Sequence, residues 1–411
     1  MHPLTLEAGV SECQDLMKVS VIGLGYIGLP TAIVLAEAGH MVYGFDNNES
    51  IVDSLSEGHV HINEKGLGEM VLKALSNGSF KTSAQLMEAE CYIISVPTPI
   101  HEENKAADLS YVYEAASSIG KVIQAGSLVV LESTVPPYST YGVQQAIAGE
   151  SGLACEDFCI AYCPERVLPG NIMHELRNND RIVGSDTPEG AARARELYSS
   201  FLVDGKIYES TILTSEMCKL VENSFRDLNI AFANELSVIC DSIGLDANEL
   251  ITLANRHPRV QILSPGVGVG GHCIPVDPWF LVQAFSGKAK LIRTAREVND
   301  SKPAFVVEKV KAACGYDLSK RVAVLGLAYK PNVADLRESP SLAVARELLA
   351  SGYHVLGVEP NVGESGRVSG VPLTSLEDAL GQSDVIVLAV RHDDFFGKLA
   401  NLGEGKTVLE F

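Results

Sequence analysis

"KVSVIGLGYIGLPTAIVLAEAGHMVYGFDNNES", residues 18–50, decides how the first part of this chain folds. A short β-type run at 19–22 enters Gly23-x-Gly25-x-x-Gly28, a helical stretch follows over about 30–38, and a second strand at 41–45 ends on Asp46. A dinucleotide-binding βαβ unit needs this order. The first glycine allows the tight turn, the second lets the backbone approach a pyrophosphate, and the third lets helix pack on strand. The helix N-terminus then faces the phosphates. Tyr26 and Ile27 fill the turn between the last two glycines. Asp46, eighteen residues after Gly28, stands where an acid accepts hydrogen bonds from the adenosine ribose, and its charge would repel a 2′-phosphate. Asn47, Asn48 and Glu49 supply no arginine to reverse that preference, so NAD is the expected cofactor.

Further β-rich runs at 91–99 ("CYIISVPTP"), 127–137 ("SLVVLESTVPP") and 159–170 ("CIAYCPERVLPG") leave room for helices, as in a parallel doubly wound sheet. Ligands bind such sheets beyond the C-terminal strand ends, which makes Thr98, Thr134 and Glu165 candidate site residues. Over 214–257 the period changes. Met217, Leu220, Val221, Leu228, Phe232 and Leu236 form a helical stripe ending near Gly244, while Lys219, Asn223 and Arg226 share a face.

After "SKP" at 301–303, residues 321–362 repeat the first domain's logic: strand 322–325, a turn at Gly326, a helix over about 339–350, and strand 354–358 ending at Glu359. "SDVIVLAV" (383–390) adds a buried strand. The fingerprint is incomplete, because Leu327 and Ala328 follow Gly326 and Lys330 and Pro331 stand where the next turn would be. This predicts a nucleotide domain that is not a second NAD site. The expected fold class is α/β, with two Rossmann-like doubly wound domains joined by a central long-helix region. The expected divisions are an extension over 1–17, an NAD-binding domain over 18–205, a central region over 206–302 and a C-terminal domain over 303–411.

The 411 residues carry 32 basic and 52 acidic side chains, a net charge of −20, and a field of that sign opposes nucleic acid and anionic membrane surfaces. Neither is an expected partner. Residues 19–36 lack charge, but Gly23, Gly25, Gly28 and Pro30 punctuate them as strand, turn and helix rather than a membrane span. The first residues have no basic segment leading into an apolar run, so they do not read as a signal peptide. Nine scattered cysteines, an odd number, read as reduced thiols of a cytoplasmic protein. Cys155, Cys159 and Cys163 recur every four residues without a second Cys/His cluster at zinc spacing, and no metal is expected.

One thiol is placed differently from the rest. In "GVGVGGHCIPVDP" (266–278), Gly266, Gly268, Gly270 and Gly271 lead to His272 and Cys273, and Asp277 follows four residues later. A cysteine with only a packing role usually sits on an apolar helix or strand face; one on a glycine-rich loop can reach a ligand. Cys273 is the candidate nucleophile.

The segments "GLGYIGLP" (23–30), "ESTVPP" (132–137), "YCPERVLPGN" (162–171), "EMCKLVENSFRD" (216–227), "GVGVGGHCIPVDP" and "GLAYKPNVADLRESP" (326–340) occur in this order, and with them the chain resembles the UDP-glucose/GDP-mannose dehydrogenase family from Lys18 onward. The resemblance implies oxidation of C6 of a nucleotide sugar from alcohol to carboxylate with two NAD and one water. "CPERVLPGNIMHELRNNDRIVG" (163–184) and "LANRHPRV" (253–260) point to UDP-N-acetyl-D-mannosamine as the sugar, with UDP-glucose and UDP-N-acetylglucosamine as alternatives.

By the same resemblance Cys273 adds to the aldehyde, Lys219 is the acid/base or electrostatic partner of the C6 oxygen, and Asn223 is its hydrogen-bonding companion. Asp277 and Glu165 are the candidates for handling the hydrolytic water, with Thr134 also at the catalytic centre. Gly23, Gly25, Tyr26, Ile27, Gly28, Asp46, Thr98, Thr134 and Arg337 are expected at the cofactor. Arg166, Val167, Lys219, Asn223, Arg226, Arg256, His257, Arg259, Gly266, Tyr329 and Lys330 are expected at the UDP-sugar. A homodimer or larger homo-oligomer is expected, with Arg259 acting across subunits. A non-catalytic NAD- or UDP-binding sensor is the alternative of another class, but it would have no need for Cys273, Lys219, Asn223 and Asp277 together.

Overall fold

A computed structural model describes residues 16–399 and 406–411; all but the last two residues of the expected N-terminal extension, Cys13 among them, lie outside the described residues. The chain divides into two compact units, Met1–Leu220 and Val221–Phe411.

The first unit is built on an eight-stranded sheet. Its strands are β1 (Lys18–Ile22), β2 (Met41–Phe45), β3 (Phe80–Ser83), β4 (Cys91–Ile94), β5 (Leu128–Leu131), β6 (Cys159–Tyr162), β7 (Arg181–Gly184) and β8 (Ile207–Ser210). Their spatial order is β3-β2-β1-β4-β5-β6-β7-β8. Alternation along each strand feeds two cores. Val19 and Val21 of β1, Cys91 and Ile93 of β4, and Leu128 and Val130 of β5 pack on one face with Leu29, Ile33 and Leu35. Ile22, Tyr92, Ile94, Val129 and Leu131 pack on the other with Val112, Ile119, Val143 and Ile147. The helices supplying these layers are α1 (Gly28–Glu37), α2 (Glu49–Ser56), α3 (Leu67–Ser76), α4 (Ser110–Gly120), α5 (Ser139–Ser151), α6 (Ile172–Asn178) and α7 (Pro188–Ser199).

The expected all-parallel sheet needs one correction. β6 meets β7 antiparallel at Tyr162 and Gly184, so β7 and β8 run against the first six strands. The connection through α6 is as long as the one that joins the parallel pair β1 and β2, so its length does not set the reversal.

Helix α8 (Ile212–Ile243) begins in the first unit and ends in the second. The apolar stripe expected along it is buried only in part: Leu220 is fully buried and Val221 and Phe232 are 50% and 48% exposed, while the polar Glu216, Asn223, Asp227 and Asn234 are buried. Burial of these polar side chains has a physical cause, because each makes a hydrogen bond inside the protein.

The second unit continues through α9 (Ala247–Ala254), α10 (Asp277–Ala284) and α11 (Lys290–Ala313). The expected boundary at 302/303 falls inside α11, which runs through Pro303. A proline there removes one intrahelical bond, but the same face buries Arg296, Asn299 and Lys302 before it and Val306, Val307 and Val310 after it.

Beyond α11 come β9 (Arg321–Leu325), α12 (Pro340–Ala350), β10 (His354–Val358), the small pair β11 (Arg367–Val368) and β12 (Val371–Pro372), α13 (Leu376–Gln382), β13 (Val385–Leu388) and β14 (Thr407–Glu410). β10, β9, β13 and β14 form a parallel sheet in that order. Val322 and Val324 join Val306, Val310, Val344 and Leu348 on one face; Ala323 and Leu325 join Ala379 and Ile386 on the other. The architecture is thus α/β, with two Rossmann-like sheets and a long central helix.

Candidate active site

In the first unit, β1, β2, β4, β5 and β6 are parallel, so their C-terminal ends lie along one edge of the sheet. Gly23 follows β1, Thr98 lies four residues past β4, and Thr134 and Glu165 lie three residues past β5 and β6. The strand order reverses between β1 and β4, and a crevice for ligand forms at such a switch.

The three glycines of the first turn have different reasons to be there. At Gly23, where φ is +92°, a Cβ would lie 2.3 Å from the Ser95 carbonyl oxygen, and one on Gly28 would lie 1.8 Å from the oxygen of Gly23. Those two are required by the protein's own packing. Gly25 has nothing within 4 Å of an added Cβ, so the fold leaves open space there. Tyr26 is exposed, Ile27 makes no side-chain cap, and the first turn of α1 carries no acid. Open space beside a helix N-terminus that has no acid in its own first turn suits a pyrophosphate. Asp46 accepts from Leu24 N through Oδ2 at 2.9 Å and from Asn48 N through Oδ1 at 2.9 Å, which holds its carboxylate beside the turn. The set fits a dinucleotide.

Glu165 is 9% exposed and accepts from Val167 N. Burial pushes its carboxyl up to about 7, with Arg181, the Val167 N–H and Lys219 pulling the other way and Glu132 adding to the rise. A carboxylate in that range exchanges protons near neutral pH. Lys219 Nζ donates to the Glu165 carbonyl at 2.8 Å, so α8 and the β6 end are tied at this point. Arg166 reaches Asp180 O at 3.2 Å, and Val167 packs against the core.

Glu216, which the sequence did not single out, is fully buried and accepts from Tyr138 N, Thr140 N and Thr140 Oγ1 at 2.7, 2.8 and 2.6 Å. It fixes the first turns of α8 to the start of α5, the helix that follows Thr134.

In the second unit Cys273 is exposed, in the loop leading into α10, and its carbonyl accepts from Val276 N and Asp277 N at 3.1 and 2.9 Å. Asp277 is 3% exposed in the first turn of α10, where Asn223 Nδ2 donates to its Oδ2 at 2.5 Å. The glycines before the thiol are dictated by contact. An added Cβ on Gly270 would meet Glu338 O at 2.5 Å, and on Gly271, at φ +89°, Tyr329 Cε2 at 2.9 Å. Tyr329 therefore lies against the cysteine loop, and Lys330 Nζ sits 5.7 Å from its ring centre. Arg337 forks onto Asp335 at 2.9 and 2.6 Å, and Asp335 also approaches His272 Nε2 at 3.9 Å. Burial and the Arg337 charge hold the His272 imidazole below its ordinary value.

Arg226, Arg256, His257 and Arg259 are exposed. The loop bearing the last three is closed by Asn255, whose side chain exchanges bonds of 2.9 and 2.8 Å with Ile262, and by Asn229, which bonds Gln261 O and Leu263 N. Asn234 accepts from Gly266 N at 2.9 Å and donates to Asn299 Oδ1 at 2.9 Å. These asparagines carried no motif signal; only the folded loop gives them partners.

The second nucleotide-type turn differs from the first. Glu359 is 1% exposed; its Oε2 accepts from Leu327 N and Ala328 N, both at 2.8 Å, and pairs with His392 Nε2 at 3.1 Å. A buried and satisfied acid has no free oxygen to offer a ribose, in keeping with the incomplete fingerprint. Among the described residues there is no group of three or more His, Cys, Asp or Glu that could hold a metal, no disulfide, and no helix long and apolar enough to cross a membrane.

Three domain models of one family match the chain: the NAD binding domain over 17–202, the central domain over 213–301 and the UDP binding domain over 323–409. The chain is 47% identical over 391 residues to a UDP-N-acetyl-D-mannosamine dehydrogenase of Campylobacter jejuni, covering 92% of this chain and 96% of the relative. It is 46% identical over 391 residues to an NDP-N-acetyl-D-galactosaminuronic acid dehydrogenase of Ralstonia nicotianae, covering 93% and 92%. The solved UDP-D-ManNAc dehydrogenase of Pyrococcus horikoshii superposes with a TM-score of 0.88 at 36% identity, covering 96% and 95%. Motif order, fold and relatives agree, and the chain belongs to the UDP-glucose/GDP-mannose dehydrogenase family.

Proposed function

We propose that this dehydrogenase oxidises UDP-N-acetyl-D-mannosamine at C6 to the uronate, a four-electron reaction using two NAD, in the cytoplasm, as a step toward surface polysaccharide precursors. The observation that carries the reading is the placement of Cys273. It is an exposed thiol on a loop pinned by Tyr329, and its backbone caps the helix that begins with the buried Asp277.

NAD, when bound in the Gly23–Gly28 turn with Asp46 at the ribose, is the acceptor of hydride from the substrate. The chain's own groups do the rest. Lys219 stabilises or takes the proton of the C6 oxygen, and Asn223 supports it. The C6 aldehyde is attacked by Cys273 Sγ, giving a thiohemiacetal; loss of hydride leaves a thioester, and water cleaves it to the carboxylate and the free thiol. Glu165, with a carboxyl near neutrality, is suited to accept the proton of that water, and Asp277 is its companion candidate. Arg166, Val167, Arg226, Arg256, His257, Arg259, Gly266, Tyr329 and Lys330 hold the UDP-sugar, with Arg337 on the cofactor side.

A homo-oligomer is supported by α8, where Val221, Phe225, Phe232, Ile239 and Ile243 are 50, 65, 48, 50 and 63% exposed, an apolar face that a second subunit would cover. The 46% relative named for a galactosaminuronic acid favours a second reading, the same chemistry on an epimeric N-acetylhexosamine. A panel of UDP-linked N-acetylmannosamine, N-acetylgalactosamine, N-acetylglucosamine and glucose, each with NAD, decides between them by kcat/KM. Highest kcat/KM on UDP-N-acetylmannosamine is expected; preference for another sugar reassigns the substrate, and no NADH from any sugar leaves the sensor.

A further inference from the structure

Behind Glu165 lies a buried cluster that the proposed mechanism does not use. Arg181 opens β7 and is 4% exposed; its guanidinium lies 4.7 Å from the Tyr198 ring centre and 5.2 Å from that of Phe201. Its Nη1 approaches Cys163 Sγ at 3.7 Å, and its Nε has no hydrogen-bond partner among the described residues. Tyr198 OH donates to Glu132 Oε1 at 2.7 Å, and Glu132 is 2% exposed just past β5. Glu165, two residues after Cys163, lines a narrow cleft together with Arg166, Glu175, Asp180 and Arg181.

The count of charges in this cluster is uneven. An arginine stays protonated, so its charge is fixed, and burial makes compensation by nearby carboxylates worthwhile. Two buried carboxylates, Glu132 and Glu165, share that single buried cation, while the less buried Lys219 donates to the Glu165 backbone carbonyl. One carboxylate can be fully offset; the other is left on the margin between its charged and neutral forms. We propose that Arg181 and Glu132 are positioning residues for Glu165, a fixed cation and a second buried carboxylate competing for it, which together set whether Glu165 can give and take a proton during the reaction. This rests on the reading of Glu165 as a group that handles the hydrolytic water. The groups bearing on Glu165 support it: Arg181 from β7 and Lys219 from α8 favour its ionised form, and Glu132 opposes it.

The test is the pH profile of kcat for the full-length chain with nucleotide sugar and NAD, in wild type, E165Q, R181M and E132Q. The acid limb of the wild type is expected near pH 7. E165Q should lose that limb along with most of kcat. R181M should move its midpoint up by about one pH unit or more, and E132Q should move it down by about as much. Opposite displacements from two residues of one cluster are not what a merely structural role produces. A limb unchanged in E165Q would sink the reading of Glu165 itself. A limb lost in E165Q but unmoved, or moved the same way, in R181M and E132Q would overturn the present proposal alone. If R181M does not fold, E132Q with R181K decides the matter: E132Q must still lower the midpoint, and R181K, which keeps the charge, must raise it less than half a unit or so.

Discussion

Asn223 donates from Nδ2 to Asp277 Oδ2 at 2.5 Å, and both side chains are buried. Asp277 N in turn bonds the Cys273 carbonyl at 2.9 Å, so one carboxylate is oriented by α8 and belongs to the helix that the cysteine loop opens. Asp277→Asn keeps the shape and removes the charge. The expected result is a kcat lower by about a hundredfold or more with KM for the sugar changed little. Wild-type kcat would remove Asp277 from the catalytic group.

Gly25 and Gly28 should separate ligand from fold. Gly28→Ala places a Cβ 1.8 Å from a backbone oxygen and is expected to unfold the chain or lower its melting temperature sharply. Gly25→Ala meets nothing within 4 Å, so stability should stay within about 0.5 kcal/mol. Its KM for NAD should rise about tenfold, equivalent to ~1.4 kcal/mol of lost affinity. Equal loss of stability in both variants would contradict the division.

The Asp46 carboxylate is held beside the turn by Leu24 N and Asn48 N. Asp46→Ala removes a ribose acceptor and a charge that repels a 2′-phosphate, so kcat/KM should fall for NAD and the advantage over NADP should narrow. Unchanged kinetics with both cofactors would place the ribose elsewhere.

Glu359 is a stability prediction for the C-terminal sheet. Burial alone would raise its carboxyl, but the bonds from His392, Ala328 N and Leu327 N outweigh that and hold it below its ordinary value. The folded state therefore binds this proton less tightly than the unfolded chain. Its stabilisation is present above the unfolded carboxyl range of about 4.3 and disappears as pH falls through the lower folded value. Glu359→Gln should cost about 1–3 kcal/mol at pH 7 by urea unfolding, with the difference from wild type shrinking at low pH. A difference that grows toward acid would reverse the sign of this account.

The parts legible in the sequence are those with local causes. The βαβ order around Gly23 and Gly28, the strand ends at Thr134 and Glu165, and the second sheet with its turn at Gly326 each depend on residues close in the chain. The long helix was legible in length, and its apolar stripe in spacing, but not which positions are buried. Val221 and Phe232 of the stripe are half exposed, whereas Asn223, Asp227 and Asn234 are buried, with partners more than thirty residues away. The antiparallel β7 and the buried Arg181 were hidden for the same reason, since a charged residue at a strand start reads as exposed until Tyr198 and Phe201 are folded over it.

The central claim is that Cys273 carries the second oxidation, and the most direct measurement is NADH formed per UDP-N-acetylmannosamine consumed, in wild type and in Cys273→Ser. The wild type should give two NADH per sugar and release the uronate. Cys273→Ser should keep part of the first oxidation, give at most one NADH per active site with an adduct or released aldehyde, and lose steady turnover, because an alkoxide is harder to form than a thiolate and an ester leaves more slowly than a thioester. One NADH per sugar in the wild type, or a serine variant that makes uronate at the wild-type rate, would contradict the account.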